Sequence, residues 1–341
     1  MRILTIGGTR FVGRHLVAAA VARGHQVTVL HRGLACPGVP DVEHLHADRD
    51  ADLGVLSGRE WDVTVDVCAY SPQQVTALAE ALGDRAGRYA LISTVSVHAD
   101  APEPGLDEQA PLVAPLGLEG AAPPVDVHTY GGLKVGCEHV ARQRFAQELL
   151  VVRPTYVLGP YDPTGRFPYW VDRLARGGRV LCPGSAEAPI QYVDARDLGA
   201  FVVGLIEAGD EGTFNAVSPP APYSFADMLE EVRAAVAPDG TSLEWLPSAW
   251  LSDHGVTPAL LPFWTGTDNP VHTLAMDPAR SAAAGLRARP LAETARDTLA
   301  WTSAVPSSET RVSGAGWSDR SRSAALPAER EQSLLSQWAS R

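Results

Sequence analysis

Short apolar runs and helix-periodic stretches alternate through the first hundred residues of the chain. Residues 2–6 (Arg-Ile-Leu-Thr-Ile) predict a strand, and Gly7-Gly8-Thr9-Arg10-Phe11-Val12-Gly13 follows as a glycine turn. Arg14–Arg23 predicts a helix stopped by Gly24, a natural C-cap residue, and Gln26–His31 predicts a second strand. The whole is one strand–helix–strand unit of about 30 residues. Val42–Asp48, Asp62–Val67 and Tyr89–Ile92 predict further strands, the last closed by Ser93-Thr94-Val95-Ser96-Val97. Beyond residue 218 the pattern changes. A turn rich in proline (Pro219, Pro220, Pro222) opens a helix, and Trp245, Trp250, Phe263 and Trp264 cluster in a loop-rich stretch reaching about residue 275. The last segment, Pro327–Trp338, places proline at a first helical position with Leu334, Leu335 and Trp338 on one face, which predicts a docked terminal helix.

Two stretches carry chemistry. Tyr130 and Lys134, four residues apart in Tyr-Gly-Gly-Leu-Lys, project from one face of a helix on successive turns. A phenol of pKa about 10 exchanges protons poorly at neutral pH, and a neighbouring ammonium favours its phenolate. The pair therefore suits Tyr130 as an acid/base, although Tyr and Lys at this spacing also mark ordinary half-buried helix faces. In the N-terminal unit, Gly7 permits a tight turn and Gly13 lets helix and strand approach closely, while the helix N-terminus offers unpaired N–H groups to a pyrophosphate.

The glycine turn, Ser93–Val97 after an apolar strand, Tyr130-x-x-x-Lys134 and Val152-Arg153-Pro154-Thr155, in this order, resemble the extended short-chain dehydrogenase/reductases, in the branch of the NAD-dependent epimerases and dehydratases. The resemblance covers roughly residues 1–300. It implies an α/β fold, a Rossmann-type doubly wound parallel sheet with a smaller C-terminal lobe that binds substrate. The expected division is a dinucleotide-binding domain over 1–155, with 188–217 returning to it, and a substrate-binding lobe with the terminal helix over 156–187 and 218–341. By the same resemblance Thr94 hydrogen-bonds the reacting oxygen, with Ser93 and Ser96 as neighbouring hydroxyls. Tyr130 is the acid/base, Lys134 tunes it and binds the nicotinamide ribose, and Pro154 sits near the nicotinamide. Gly7, Thr9, Arg10, Phe11, Val12, Gly13 and Ser93 belong to the expected cofactor site. Asp48 matches the family's adenine-contacting acid, and Cys68, Ala69 and Tyr70 follow the fourth strand at the edge where ligands bind in open α/β sheets. Cys68 has no partner motif that would make it a nucleophile.

Departures from the pattern are informative. The middle glycine of the usual three is Arg10, a turn like that of the atypical branch related to chloroplast RNA-binding proteins. The second strand ends His31-Arg32 where an acid commonly serves NAD. Arg10 and Arg32 suit a 2′-phosphate, so NADP is preferred over NAD as the expected cofactor. In nucleotide-sugar epimerases an arginine that grips the diphosphate precedes an aromatic-aliphatic-His/Tyr-Val-x-Asp stretch. The segment that aligns with it here is Pro189-Ile190-Gln191-Tyr192-Val193-Asp194-Ala195-Arg196-Asp197, and the arginine position holds Ile190, which weakens a sugar-nucleotide substrate. Arg166, Gln191 and Tyr192 remain substrate-pocket candidates, and the Trp/Phe cluster either builds the core of the lobe or lines an apolar pocket.

Composition narrows the partners. At 341 residues the chain suits one Rossmann-type domain and a smaller lobe, and the four cysteines, at 36, 68, 137 and 182, have neither zinc spacing nor a disulfide framework. No metal is expected. No stretch reads as a signal peptide or membrane span, so a cytoplasmic location is expected. A net charge of −12 opposes nucleic-acid binding, and the one arginine-flecked stretch, around Arg320 and Arg322, is short. The expected activity is NADPH-dependent reduction of a small-molecule carbonyl, or the reverse oxidation of an alcohol. The first alternative is an epimerase or dehydratase with tightly bound NAD, and the second is a non-catalytic nucleotide-binding protein associated with RNA. Gly131, Gly132 and Gly136 on the Tyr-Lys helix suit either close helix packing between subunits or approach of the cofactor, leaving monomer and homodimer both open.

Overall fold

A computed structural model describes residues 1–33, 42–145, 149–304 and 325–341. The elements in chain order are β1 (Arg2–Ile6), α1 (Phe11–Ala22), β2 (Gln26–His31), β3 (Glu43–His46), β4 (Val63–Asp66), α2 (Pro72–Leu82), β5 (Arg88–Ile92), α3 (Tyr130–Arg144), β6 (Leu149–Pro154) and β7 (Tyr156–Leu158). There follow α4 (Arg166–Ala175), β8 (Arg179–Pro183), β9 (Tyr192–Asp194), α5 (Ala195–Ala208), β10 (Gly212–Ala216), α6 (Phe225–Val236), β11 (Ser242–Leu246), α7 (Ser248–Asp253), α8 (Ala279–Ala283), α9 (Leu291–Ala304) and a terminal helix α10 (Ala328–Ala339). They form two compact units: 1–157 with 192–218 and 276–288, and 158–191 with 219–275 and 289–341.

The first unit is built on a seven-stranded sheet in the order β10-β6-β5-β4-β1-β2-β3, all parallel. Parallel strands covered on both faces read as nearly continuous apolar runs, which is why β1 and β2 are buried from their second residue onward. Alternation sorts their side chains. Ile3, Val27, Val29, Val63 and Val65 pack with Leu16, Val17 and Ala20 of α1 and Leu198, Phe201 and Val202 of α5. Leu4, Ile6, Leu30 and Leu91 pack on the other face with Val75 and Leu78 of α2 and Cys137 and Ala141 of α3. The doubly wound reading of the sequence is therefore what the chain forms. Residues 276–288 belong to the same unit: Asp277 N–H donates to the Leu106 carbonyl at 3.0 Å, and the Arg280 guanidinium lies 4.6 Å from the Phe214 ring centroid.

Two element boundaries differ from expectation. The first helix begins at Phe11 rather than Arg14, so Gly13 lies within its opening turn. The third strand spans Glu43–His46 and stops short of Asp48, whose carboxylate instead accepts the Asp50 N–H at 3.1 Å. An aspartate that caps its own following backbone ends a strand because its side chain competes with the ladder.

In the second unit β8 and β11 pair in parallel. Helix α6 starts where the proline-rich turn predicts, capped by a reciprocal Ser224–Asp227 box. The terminal helix docks through Leu334 and Leu335, with Trp338 edge-on to Trp250 at 5.3 Å, and Pro327 stands one position earlier than expected, at the N-cap. A feature absent from the sequence reading fixes it further. Glu331 is buried, accepts both Arg173 Nε, at 2.7 and 2.9 Å, and the Leu181 N–H at 3.0 Å. Trp250, Phe263 and Trp264 are at most 8% exposed and form the core of this unit. The cavity lined by Phe225, Phe263, Trp264 and Leu274 measures ≈ 10 Å³, room for about one water. That cavity is too small to admit an apolar substrate. Among the described residues no helix is long and apolar enough to cross a membrane, and no cluster of His, Cys, Asp and Glu has the geometry to hold a metal ion.

Candidate active site

Parallel strands bring their carboxyl ends to one edge, where loops and helix N-termini converge. At that edge of the first unit the glycine turn follows β1, Cys68-Ala69-Tyr70 follows β4, and Ser93–Val97 follows β5. Gly7 adopts φ +86°, and a Cβ at Gly13 would stand 2.3 Å from the Gly7 carbonyl oxygen. Only glycine at both positions lets α1 rest on the turn. Phe11 and Val12 open the helix, and Thr9 is buried beside them. Arg10 is the N-cap residue, and its Nη2 is buried without a hydrogen-bond partner among the described residues. A buried unpaired guanidinium nitrogen beside a helix N-terminus fits an anionic oxygen. The cradle thus fits a dinucleotide pyrophosphate.

Lys134 is 2% exposed, and its Nζ donates to the carbonyls of Ile92 at 2.6 Å and Ala69 at 2.9 Å. These are the ends of β5 and of the loop after β4, so the ammonium ties α3 to the sheet edge. Tyr130 lies one turn earlier, half-buried at the start of the helix. Tyr70 lies against both: its ring centroid is 5.9 Å from Lys134 Nζ, and burial, followed by the nearby Tyr130 phenol, pushes the Tyr70 hydroxyl up. Thr94 Oγ1 accepts the Ser96 N–H at 3.1 Å and donates to Ser96 Oγ at 3.2 Å, capping a short 3-10 turn over Val95–Val97. A Cβ at Gly131 would sit 2.2 Å from the Ser96 carbonyl oxygen, so this turn lies directly on the first turn of α3. Thr94, Ser96, Tyr130, Lys134, Ala69 and Tyr70 are therefore brought together.

The glycines of α3 serve this chain's own packing. At Gly132 and Gly136 a Cβ would meet the carbonyl oxygens of Ala114 at 2.8 Å and Leu116 at 2.3 Å, so the chain's own 114–116 backbone fills the space beside these glycines. Gly131→Ala is expected to lower stability by about 1–3 kcal/mol through overpacking. A urea midpoint at or above that of the parent would contradict the contact.

Two buried ion pairs behind the site were missed by the sequence reading. Glu138, 0% exposed, accepts Ser93 Oγ at 2.6 Å and both Nε (2.9 Å) and Nη2 (2.7 Å) of Arg153, itself 1% exposed. The Ser93 hydroxyl is thus spent on Glu138. Burial pushes the Glu138 carboxyl up, but the hydrogen bonds and charge of Arg153 outweigh it and hold the group low. The signal was present in the sequence, since Glu138 continues the four-residue spacing of Tyr130 and Lys134. Arg49 likewise pairs with Asp66 through two hydrogen bonds of 2.7 and 2.8 Å, reinforced by Tyr89 Oη at 2.8 Å. Its neighbour Asp48 is exposed. No local pattern reveals the Arg49 pair, because its members meet only through the sheet order. Cys68 is a free thiol pushed up by burial, which suits its reading as a packing residue rather than a nucleophile. Cys36, Arg320 and Arg322 lie outside the described residues.

The remaining candidates stand as follows. Arg32 is exposed just past β2. Pro154 ends β6 and is buried. Tyr192 lies in β9 with its backbone bonded both ways to Ser218, at 2.6 and 3.1 Å. Arg166, which opens α4, and Gln191, whose amide donates to the Pro219 carbonyl at 3.0 Å, belong to the second unit. Ile190 there is 1% exposed and carries no charge to offer a diphosphate.

A seven-stranded parallel sheet with a glycine turn at its carboxyl edge and a Tyr-x-x-x-Lys helix beside it defines an enzyme fold of the short-chain dehydrogenase/reductase class. The sequence model of the NAD dependent epimerase/dehydratase family matches residues 3–217, and the chain belongs to that family. It is 26% identical over 222 residues to the chloroplast stem-loop binding protein of 41 kDa b of Arabidopsis thaliana, a match that takes in 60% of this chain and 55% of that protein. The chain thus spans about half the length of that relative. Among solved structures it is similar to the Bordetella bronchiseptica enzyme WbmH in complex with NAD+, with a TM-score of 0.67 and 16% identity over 89% of this chain and 98% of the other. It is also similar to human epimerase family protein SDR39U1 with NADPH, with a TM-score of 0.62 and 22% identity over 87% of this chain and all of the other (100%). Both likenesses concern the fold.

Proposed function

We propose that this chain is an NADP(H)-dependent oxidoreductase that interconverts a carbonyl and a secondary alcohol on a small molecule. The observation that carries the reading is the buried Lys134 ammonium, held between two strand-end carbonyls one helical turn from Tyr130. Tyr130, one turn away, gives its proton to the substrate oxygen in reduction and takes it back in oxidation. Thr94 holds that oxygen through its hydroxyl, and Lys134 has a third N–H for the nicotinamide ribose. Burial keeps Tyr70 protonated, a neutral wall to the same space. The dinucleotide, when bound, supplies or accepts the hydride. Asp48, Cys68, Ala69, Pro154 and the backbone of Ser93 then frame the cofactor, and Tyr192, of the same unit, the substrate.

Arg10 and Arg32 support NADP over NAD, because guanidinium groups suit a 2′-phosphate and the strand end carries no acid. Calorimetric titration with NADPH and NADH tests this. Arg32→Ala is expected to weaken NADPH by about tenfold or more, the worth of one charge-assisted contact, and to leave NADH unchanged. Equal affinities in the parent would overturn the preference, and binding of neither would overturn the dehydrogenase reading.

The epimerase alternative is discriminated by stoichiometry, since an oxidoreductase consumes NADPH and an epimerase recycles its bound cofactor. The buried Ile190 counts against a nucleoside-diphosphate sugar. The RNA-associated alternative is opposed by the net charge of −12, while the name of the Arabidopsis relative, a stem-loop binding protein, favours a role with nucleic acid.

A further inference from the structure

Three imidazoles surround the exit from β2. His31, 6% exposed, accepts the Gly33 N–H on Nδ1 at 3.0 Å, which assigns its ring proton to Nε2. That proton is donated to Nδ1 of His44 at 2.9 Å, so His44 in turn carries its proton on Nε2. His46 projects from the same face of β3, two residues on. Its ring lies 4.5 Å from that of His31, and the ring of His44 lies at 5.0 Å. A Cβ at Gly33 would meet His46 Nδ1 at 3.4 Å, so the cluster wraps the backbone that bears Arg32. Gly7 N–H bonds the Leu30 carbonyl, which places the glycine turn immediately beside this strand end. In dinucleotide folds the adenine-side ribose is read at the end of β2.

We propose that His31, His44 and His46 form a titratable part of the 2′-phosphate subsite, taking up about one proton when NADPH binds and none when NADH binds. The inference rests on the reading that the chain binds a nicotinamide dinucleotide at the glycine turn. In the free protein the Gly33→His31→His44 relay uses the lone pairs that protonation would fill. Burial, then the rings of His46 and His44, holds His31 below the ordinary imidazole value. Among the described residues, the charged groups on the surrounding elements do not offset this. Helix α1 carries Arg14 and His15 and no acid, with Arg10 at its cap. On β3, Glu43 is engaged by Thr28 and Arg59, and beyond it Asp48 accepts from its own following backbone. A phosphate dianion placed here reverses the balance, because an opposite charge within about 4–6 Å favours the imidazolium. The sign follows: a pKa raised on binding adds affinity at low pH that fades as pH rises through the raised value. The preference for NADPH over NADH therefore grows as pH falls from about 8 to 6, by at most tenfold per pH unit for one proton.

The test is calorimetry of the full chain at about pH 7 in two buffers of unlike ionisation enthalpy, neither of them phosphate, with NADPH and with NADH. A 2′-phosphate with a second pKa of about 6 exchanges protons of its own. Comparison of the parent with the double variant His44→Gln/His46→Gln isolates the imidazole share. The expected result is net uptake on NADPH binding by the parent, reduced by at least half in the variant, with NADH binding alike in both. Equal proton counts in parent and variant, with NADPH still bound, would overturn the inference while leaving the cofactor reading intact. Failure of both dinucleotides to bind the parent would overturn the two together. Should the variant fail to bind NADH and so be misfolded, the parent's own affinity ratio between pH 6 and pH 8 decides: a rising ratio at low pH supports the cluster, and a flat one refutes it.

Discussion

Tyr130→Phe is expected to bind NADPH as tightly as the parent and to lose turnover by about 10²–10⁴-fold, the usual contribution of a positioned proton-transfer group. The substitution keeps the ring that packs at the head of α3 and removes only the hydroxyl. Cofactor affinity should be untouched, since the groups proposed to hold the dinucleotide are Arg10, Arg32 and Lys134, and Lys134 keeps its bonds to Ala69 and Ile92. The measurement is NADPH oxidation followed by absorbance against a panel of aldehydes and ketones, with the parent defining the substrate. Full turnover in the variant would remove Tyr130 from the chemistry. Full biological activity of the variant, without turnover in the parent, would favour the RNA-associated alternative.

A comparably large effect on stability is expected from Glu138→Ala. It strips the carboxylate from Arg153, leaving a guanidinium that is 1% exposed without its charge partner, at a cost of about 3–5 kcal/mol. The double variant Glu138→Leu/Arg153→Met should recover most of that loss, because an apolar pair avoids the desolvation of both ions. Urea midpoints for the three proteins check this. Acid sensitivity gives a second readout. The Glu138 carboxyl is held below its unfolded value of about 4.3 by Arg153, overcoming burial. Its contribution is thus fully present above that pH and is lost as pH falls through the lower folded value. The gap between parent and Glu138→Ala should accordingly narrow in strong acid. A gap that stayed constant would mean the loss comes from packing instead of charge.

The contrast between these two residues shows what was legible in the chain. Tyr130 and Lys134 stood out because their roles depend on spacing along one helix, and spacing is written in the sequence. Glu138 continues that spacing, yet its partner Arg153 comes from β6 and Ser93 from the end of β5, so the triad exists only once strands 5 and 6 are neighbours. The glycines of α3 were ambiguous for the same reason. Their sequence gives a bare helix face, and only folding reveals that the Ser96, Ala114 and Leu116 carbonyls fill it.

From the sequence alone came the glycine turn and its helix, the order of the family motifs, the start of α6 after the proline-rich turn and the apolar face of the terminal helix, and the family resemblance those motifs carry implied the doubly wound parallel sheet. The element signals are local: periodicity and turn residues act within a few positions of one another. The tertiary structure alone decided the buried pairs Arg49–Asp66, Glu138–Arg153 and Arg173–Glu331, the return of 276–288 to the first unit and the histidine relay at the end of β2. Burying a charge or an imidazole is tolerated only where a partner waits across the fold, and no local pattern along the chain specifies that partner.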